Sequence, residues 1–313
     1  MLVDHQTHWH PLSYLERMNA RPGFPAADIG AESVGLTLAG GQRWTLPRAL
    51  FDIEYSMSSM DRHGIDAMVS SPIYFAAFHG LSEAEAEDAA SFVNSETARM
   101  QADSSGRLVG LAVAPMQYPA VADRVVRRAA DLGLRGVCVL SNYDGETPTA
   151  GRHLPVYRAM DETGQVCVLH PAMRARSYEA DAGIVVERGL DWMHDTAHAA
   201  LSMVASGILD ECQNLSVLHP HAGGVLPYVW GRAADISGRD LRSYLRTRFY
   251  VDTAVNTPGA LDFAIQLYGA DRVVFATDDP FVPRDRSIPF QRGELGDRVE
   301  GVSGNQIAQL MGS

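Results

Sequence analysis

The sequence predicts an α/β protein, a (β/α)8 barrel of the TIM type with a long insertion in its first loop. Three observations carry this expectation. Short runs of β-branched and aliphatic residues recur near residues 2–8, 65–70, 108–113, 136–140, 166–170, 215–219, 249–252 and 272–277. Such runs, apolar without alternation, read as strands buried on both faces of a parallel sheet. Helix-length segments separate them, as the crossovers of parallel pairs require. Finally, four of the runs lead into a polar group, namely His8, His170, His221 and Asp278. Those positions are strand carboxyl ends, where barrels of this kind carry their chemistry.

Taken in order, the first run is followed by residues 11–50, which hold Pro22, Pro25, Pro47 and several glycines. That segment is too irregular for one helix and reads as a long loop, with 12–50 an insertion near the barrel mouth. Tyr74–His79 fits no element and, with the insertion, is expected to wall the pocket. Ser82 then opens an Ala- and Glu-rich helix to Met100, with serine as its N-cap, and Pro119–Leu132 is a second helix that starts on proline and stops at Gly133. The alternative fold is an open doubly wound sheet, but no Gly-rich dinucleotide fingerprint follows the first run. No domain boundary stands out, so residues 1–313 are expected to form a single barrel domain.

Composition narrows the function. The chain has 313 residues, 46% hydrophobic and 20% charged, with net charge −12 and a pI near 5.3. That charge repels phosphate backbones and anionic membranes, and the basic residues are scattered, so no nucleic acid and no membrane partner is expected. No apolar stretch approaches a membrane span, and the first residues resemble no cleavable leader, so a cytoplasmic location is expected. Cys138, Cys167 and Cys212 are far apart and read as reduced core thiols.

Imidazole and carboxylate at strand ends are the ligand and proton-carrier types that metal-assisted or acid–base reactions need. In Asp4-His5-Gln6-Thr7-His8-Trp9-His10-Pro11 the strand period puts Gln6, His8 and His10 on one face, so His8 and either neighbour can meet one ion. His170 ends its run before Pro171. In Leu218-His219-Pro220-His221-Ala222-Gly223-Gly224 the glycines admit close backbone approach, and His221 is placed to act as acid or base, with His219 of the same parity. Asp278, in Thr277-Asp278-Asp279-Pro280, is a ligand or proton carrier; each of these groups taken alone could equally be a structural polar strand end or a helix cap.

Together these residues resemble the aminocarboxymuconate-semialdehyde decarboxylase branch of the amidohydrolase superfamily, also called amidohydrolase-2. Its opening Asp-x-His-x-His-x-x-Pro is matched at Asp4, His8 and Pro11; its His-Pro at His170-Pro171; its His-Gly-Gly-Gly block by His221-Ala222-Gly223-Gly224 with Pro227 and Gly231-Arg232; and its terminal block by Ala276 to Phe281. Weaker echoes are Leu154–Tyr157, Tyr250–Thr253 and Gly304-Asn305. The resemblance implies a distorted barrel and a divalent metal, Zn²⁺ or Mn²⁺, held by His8, His170 and Asp278. Gln6 is an additional ligand standing where the family's first metal-binding histidine is expected. An amide oxygen is a weaker ligand than imidazole, although some decarboxylases of this branch carry Glu there and keep their metal.

The activity implied is decarboxylation of a small carboxylated aromatic or conjugated acid, with His221 as proton carrier and Asp278 as ligand or partner. The substrate carboxylate would be held by Arg232, an arginine that in relatives can come from a neighbouring subunit, which implies a homodimer or higher homo-oligomer. Arg43 is a second candidate for that role, and Trp9 a further substrate contact. Two other readings stand: a metal-dependent hydrolase of a lactone, amide or ring-cleavage product, and, because of Gln6, a metal-free isomerase, cyclase or binding protein.

Overall fold

A computed structural model describes residues 1–20, 26–37, 43–73, 78, 80–172, 183–298 and 302. All eight expected runs contain parallel strands. They are β1 (Val3–Thr7), β5 (Ala67–Ser70), β6 and β7 (Leu108–Gly110 and Ala112–Val113), β8 (Gly136–Leu140), β9 (Val166–His170), β10 (Val217–His219), β11 (Phe249–Asp252) and β12 (Val273–Val274). β6 and β7 are one expected run, interrupted where Leu111 donates its N–H to Ser70 O. β1 pairs with β5 and β5 with β6; β7 then leads through β8, β9, β10 and β11 to β12, every pair parallel. The ring closes between its ends: His5 N donates to Phe275 O at 2.9 Å, Asp278 N to Gln6 O at 2.9 Å and His8 N to Asp279 O at 2.9 Å.

The helices between strands follow the expected chemistry. Helix Glu83–Asp103 starts on a capping box in which Glu85 accepts the Ser82 N–H at 2.9 Å. Pro119 opens helix Pro119–Asp131, whose Val121, Val125 and Val126 are buried in the main core. Cys138, Cys167 and Cys212 are free and buried. Among the described residues no helix is long and apolar enough to cross a membrane.

The insertion differs from the expected loop. It contains a helix, Leu12–Asn19, and an antiparallel sheet of β2 (Ala26–Ile29), β3 (Ser33–Thr37) and β4 (Arg43–Pro47), followed by a 3-10 turn, Arg48–Phe51. Proline and glycine punctuate short elements here and do not abolish them. β4 alternates strictly, with Trp44 and Leu46 buried in the core and Arg43, Thr45 and Pro47 outside, the signature of a sheet wetted on one face. The Arg188 guanidinium lies 5.0 Å from the Trp44 ring centre and 5.5 Å from that of Trp192, tying this sheet to the segment that follows β9. Tyr74–His79, apart from Phe78, and Gly304-Asn305 lie outside the described residues.

Candidate metal centre

The register decides which strand residues share the barrel interior. Val168 pairs with Leu218, Leu218 with Tyr250, and Asp252 with Val274, so the period of two puts His170, Leu218, Tyr250 and Asp252 on one face. His219, paired with Val251, is on the opposite face. Its ring is fully buried, neither nitrogen has a hydrogen-bond partner among the described residues, and burial lowers it to about 3. His219 therefore does not share the position of His221, contrary to the parity expected from the sequence. The strand stops at His219, and Pro220 starts a turn in which His221 (φ 56°) and Ala222 (φ 53°) are both left-handed. For residues with a Cβ that region costs about 1–2 kcal/mol each. Gly223 and Gly224 continue the turn because a Cβ there would sit 2.6 Å from Tyr268 Oη and 2.5 Å from Met193 O respectively.

Around the mouth the structure brings together His8, His170, Asp278, Gln6 and His221. His8 Nε2 is 2.9 Å from Asp278 Oδ1, and the rings of His8 and His170 meet edge-on at 5.1 Å. Donor atoms of His8, His170 and Asp278 all lie within 4.8 Å of one another. The other ring nitrogens face backbone carbonyls: His8 Nδ1 donates to Ser71 O at 3.2 Å and His170 Nδ1 to Pro171 O at 2.9 Å. Both Nε2 atoms thereby face inward, the arrangement that backbone carbonyls impose on metal-binding histidines. Burial, with the charge of His8 next, pushes His170 well below the ordinary imidazole value, keeping it in the neutral form that ligates.

Gln6 stands between the ligand set and His221. Its Nε2 is 3.2 Å from Asp278 Oδ1 and 3.3 Å from His221 Nε2, while its buried Oε1 has no partner among the described residues. A buried acceptor beside two imidazole nitrogens and a carboxylate is a donor set suited to a divalent cation, so the residues fit one. For Asp278, burial opposes ionisation, but the hydrogen bond and charge of His8 and the charges of His221 and His170 win, holding it below the usual carboxylate range. Burial lowers His221, and Asp278 partly offsets this. Asp278 and His221 are the members that keep some solvent exposure, so their side is the open approach to the cluster.

Three expected contacts lie elsewhere. Trp9, two residues past the end of β1, packs in an apolar cluster with Met60, Ile65, Met68, Leu108, Phe275 and Ile288. Arg43 is 63% exposed on β4 and lies 3.4 Å from Asp28. Arg232 is exposed on helix Leu226–Ser237. His10 is fully buried against Phe51, ring centres 5.5 Å apart, and burial lowers it well below its ordinary value. Sequence reasoning missed a buried ion cluster below the site. Arg284 lies 3.1 Å from Asp4 and 3.3 Å from Asp279, and Asp4 also accepts the Thr277 hydroxyl at 2.6 Å. The acid of the Asp-x-His opening was its one visible signal.

Residues 3–299 match the Amidohydrolase family, and the chain belongs to it. It is 25% identical over 278 residues to 2-amino-3-carboxymuconate-6-semialdehyde decarboxylase of Dictyostelium discoideum, covering 84% of this chain and 75% of that protein. It is 28% identical over 269 residues to a gamma-resorcylate decarboxylase of a Rhizobium species, covering 77% and 81%. Its fold superposes with TM-score 0.78, at 21% identity and over 99% and 96% of the two chains, on a dihydroxybenzoic acid decarboxylase from Polaromonas with bound manganese and 2-nitroresorcinol. The α/β barrel is thus the fold of the family's decarboxylases, and the relatives are carboxy-lyases.

Proposed function

We propose that this protein is a metal-assisted carboxy-lyase acting on a small carboxylated aromatic or conjugated acid. The observation that carries the reading is the gathering of donor atoms of His8, His170 and Asp278 within 4.8 Å of one another, beside a partly exposed His221 whose imidazole is 6.5 Å, ring to ring, from His170. His8, His170 and Asp278, with Gln6 Oε1 as a weak fourth, would hold Mn²⁺ or Zn²⁺; manganese in the Polaromonas relative supports the former. Such a cation supplies a fixed positive charge for the substrate carboxylate or a neighbouring hydroxyl oxygen.

Direct loss of CO₂ from an sp² carbon leaves an unstabilised carbanion, so a proton has to be added first at the carbon that bears the carboxylate. His221 carries that proton on Nε2. Its depressed basicity makes the imidazolium a strong acid, and Asp278 nearby stabilises the charged form long enough for transfer. When the carbon–carbon bond breaks, its electron pair restores the conjugated system and CO₂ leaves. Gln6 positions the unprotonated form of His221, since its amide nitrogen donates to Asp278 Oδ1 at 3.2 Å and lies 3.3 Å from His221 Nε2.

A second copy of the chain belongs to this reading. Helix Leu226–Ser237 exposes Tyr228 (71%) and Ile236 (75%) beside Arg232, an apolar surface that a homodimer would cover while Arg232 meets the neighbour's substrate carboxylate. The buried free thiols support a reducing, cytoplasmic location.

The test is elemental analysis of the purified protein followed by a screen of hydroxybenzoates and muconate-type acids for CO₂ release after loading with Mn²⁺ or Zn²⁺. Turnover with CO₂ release is expected. Uptake of water by a lactone or amide without CO₂ would replace the reading with the hydrolase, and full turnover after chelation would remove the metal from it.

A further inference from the structure

Asp252, the last residue of β11, is fully buried on the interior face of the barrel, and the reaction derived above does not use it. Its Oδ1 accepts two backbone N–H groups, that of Ala222 at 3.3 Å and that of Ala254 at 3.1 Å. A single oxygen therefore ties the loop after β10 to the loop after β11. The loop after β10 is the strained one, in which His221 and Ala222 both sit at positive φ. Such a conformation persists only where surrounding structure determines it. Two constraints act on this turn. One is steric: Gly223 and Gly224 are wedged against Tyr268 and Met193. The other is polar, and it is Asp252.

We propose that Asp252 is the positioning residue that holds His221 in register with Gln6 and Asp278, acting through the Ala222 N–H. The assignment rests on His221 as proton carrier and deepens that reading. Without the acceptor, the Ala222 N–H is left buried and unsatisfied, and the turn can regain a hydrogen bond only by relaxing. The His221 Nε2 then moves off the reacting carbon, a displacement to which proton transfer is far more sensitive than substrate binding. An asparagine keeps Oδ1 and with it both N–H contacts. It is also a close mimic, because burial raises the Asp252 carboxyl to about 7, so that much of it is uncharged near neutrality.

The experiment compares Asp252→Ala, Asp252→Asn and His221→Asn in metal-loaded enzyme, reading kcat, KM and bound metal on an acid that releases CO₂ in the screen above. The imidazole Cε1–H NMR resonance of His221, assigned by its loss in His221→Asn, is followed in parallel and requires no substrate. Asp252→Ala is expected to lose roughly 10–100-fold in kcat with metal content kept and KM little changed, and to shift the His221 resonance. Asp252→Asn should restore both. Unchanged kcat and resonance in Asp252→Ala would overturn the proposal, as would metal loss, which would make Asp252 a support of Asp278. An Asp252→Asn as impaired as Asp252→Ala would show that the ionised carboxyl and not the backbone clamp matters. Full turnover in His221→Asn would instead remove the proton-carrier reading, leaving the resonance to test the clamp. Should Asp252→Ala not fold, Asp252→Leu fills the same space without an acceptor and is judged by the same readouts.

Discussion

Asp278 and Asp279 are neighbours in sequence, yet they belong to two buried polar clusters of opposite character. Asp279 joins Asp4 around the fully buried Arg284, two carboxylates about one guanidinium. Burial raises Asp4, and Asp279 to about 6, with Arg284 opposing in both cases. Asp278 instead lies with His8 and His170 in a set of donor atoms within 4.8 Å of one another, beside Gln6 Oε1, which has no hydrogen-bond partner among the described residues. Both clusters perturb their pKa values, so perturbation alone does not mark the functional one. Composition does: the lower cluster sets a guanidinium against its two carboxylates, whereas the upper one gathers imidazole nitrogens and a carboxylate oxygen within 4.8 Å of one another, the ligand types that suit a divalent cation.

The comparison breaks first at His221. His221→Asn is expected to cost roughly 10²–10⁴-fold in turnover without loss of stability or metal, measured by steady-state kinetics and thermal melting; metal release would make it a ligand. Arg284→Met should do the reverse and destabilise by about 3–5 kcal/mol in urea unfolding, because two buried carboxylates lose their counter-charge. If that variant kept its stability and lost only metal, the two clusters would be one unit.

His219 supplies a smaller, signed test. Its folded-state value of about 3 is below the ordinary 6.5, so between those values the unfolded chain binds more protons and wild-type stability falls as pH drops. His219→Leu removes this contribution, so its stability relative to wild type should improve by about 2 kcal/mol on going from pH 8 to pH 5. A constant difference across that range would mean that the ring is protonated or solvated in the fold. Smallest is Gln6→His, expected to tighten Zn²⁺ by roughly tenfold in competition with a chelator; no change would mean that position 6 turns away from the ion.

Most barrel strands were legible as short apolar runs, such as Gly136–Leu140 and Val166–His170, whereas β1 is mostly polar and was legible through the Leu2-Val3 pair that precedes its polar residues. The insertion was not, since an isolated five-residue strand such as Ser33–Thr37 has no meaning until Ala26–Ile29 and Arg43–Pro47 pair with it. Parity misled at His219 and His221 because Pro220 ends the strand between them. The Arg284 cluster joins residues 280 positions apart, a proximity that no local pattern encodes. Trp9 adjoins His8 along the chain but packs in an apolar cluster of its own with Met60, Met68 and Phe275.

The barrel is stitched shut between its first strand and its last, through His5, Gln6 and His8 on one side and Phe275, Asp278 and Asp279 on the other. A chain emerging from the ribosome thus presents His8 some 270 residues before the carboxylate that completes its ligand set. No growing intermediate can hold the cation in the way the finished protein would. Under the proposed function, cation capture would be a checkpoint on complete synthesis: fragments ending before Asp278 would gain nothing from the ion, and only the closed ring would acquire the stabilisation that tight binding confers.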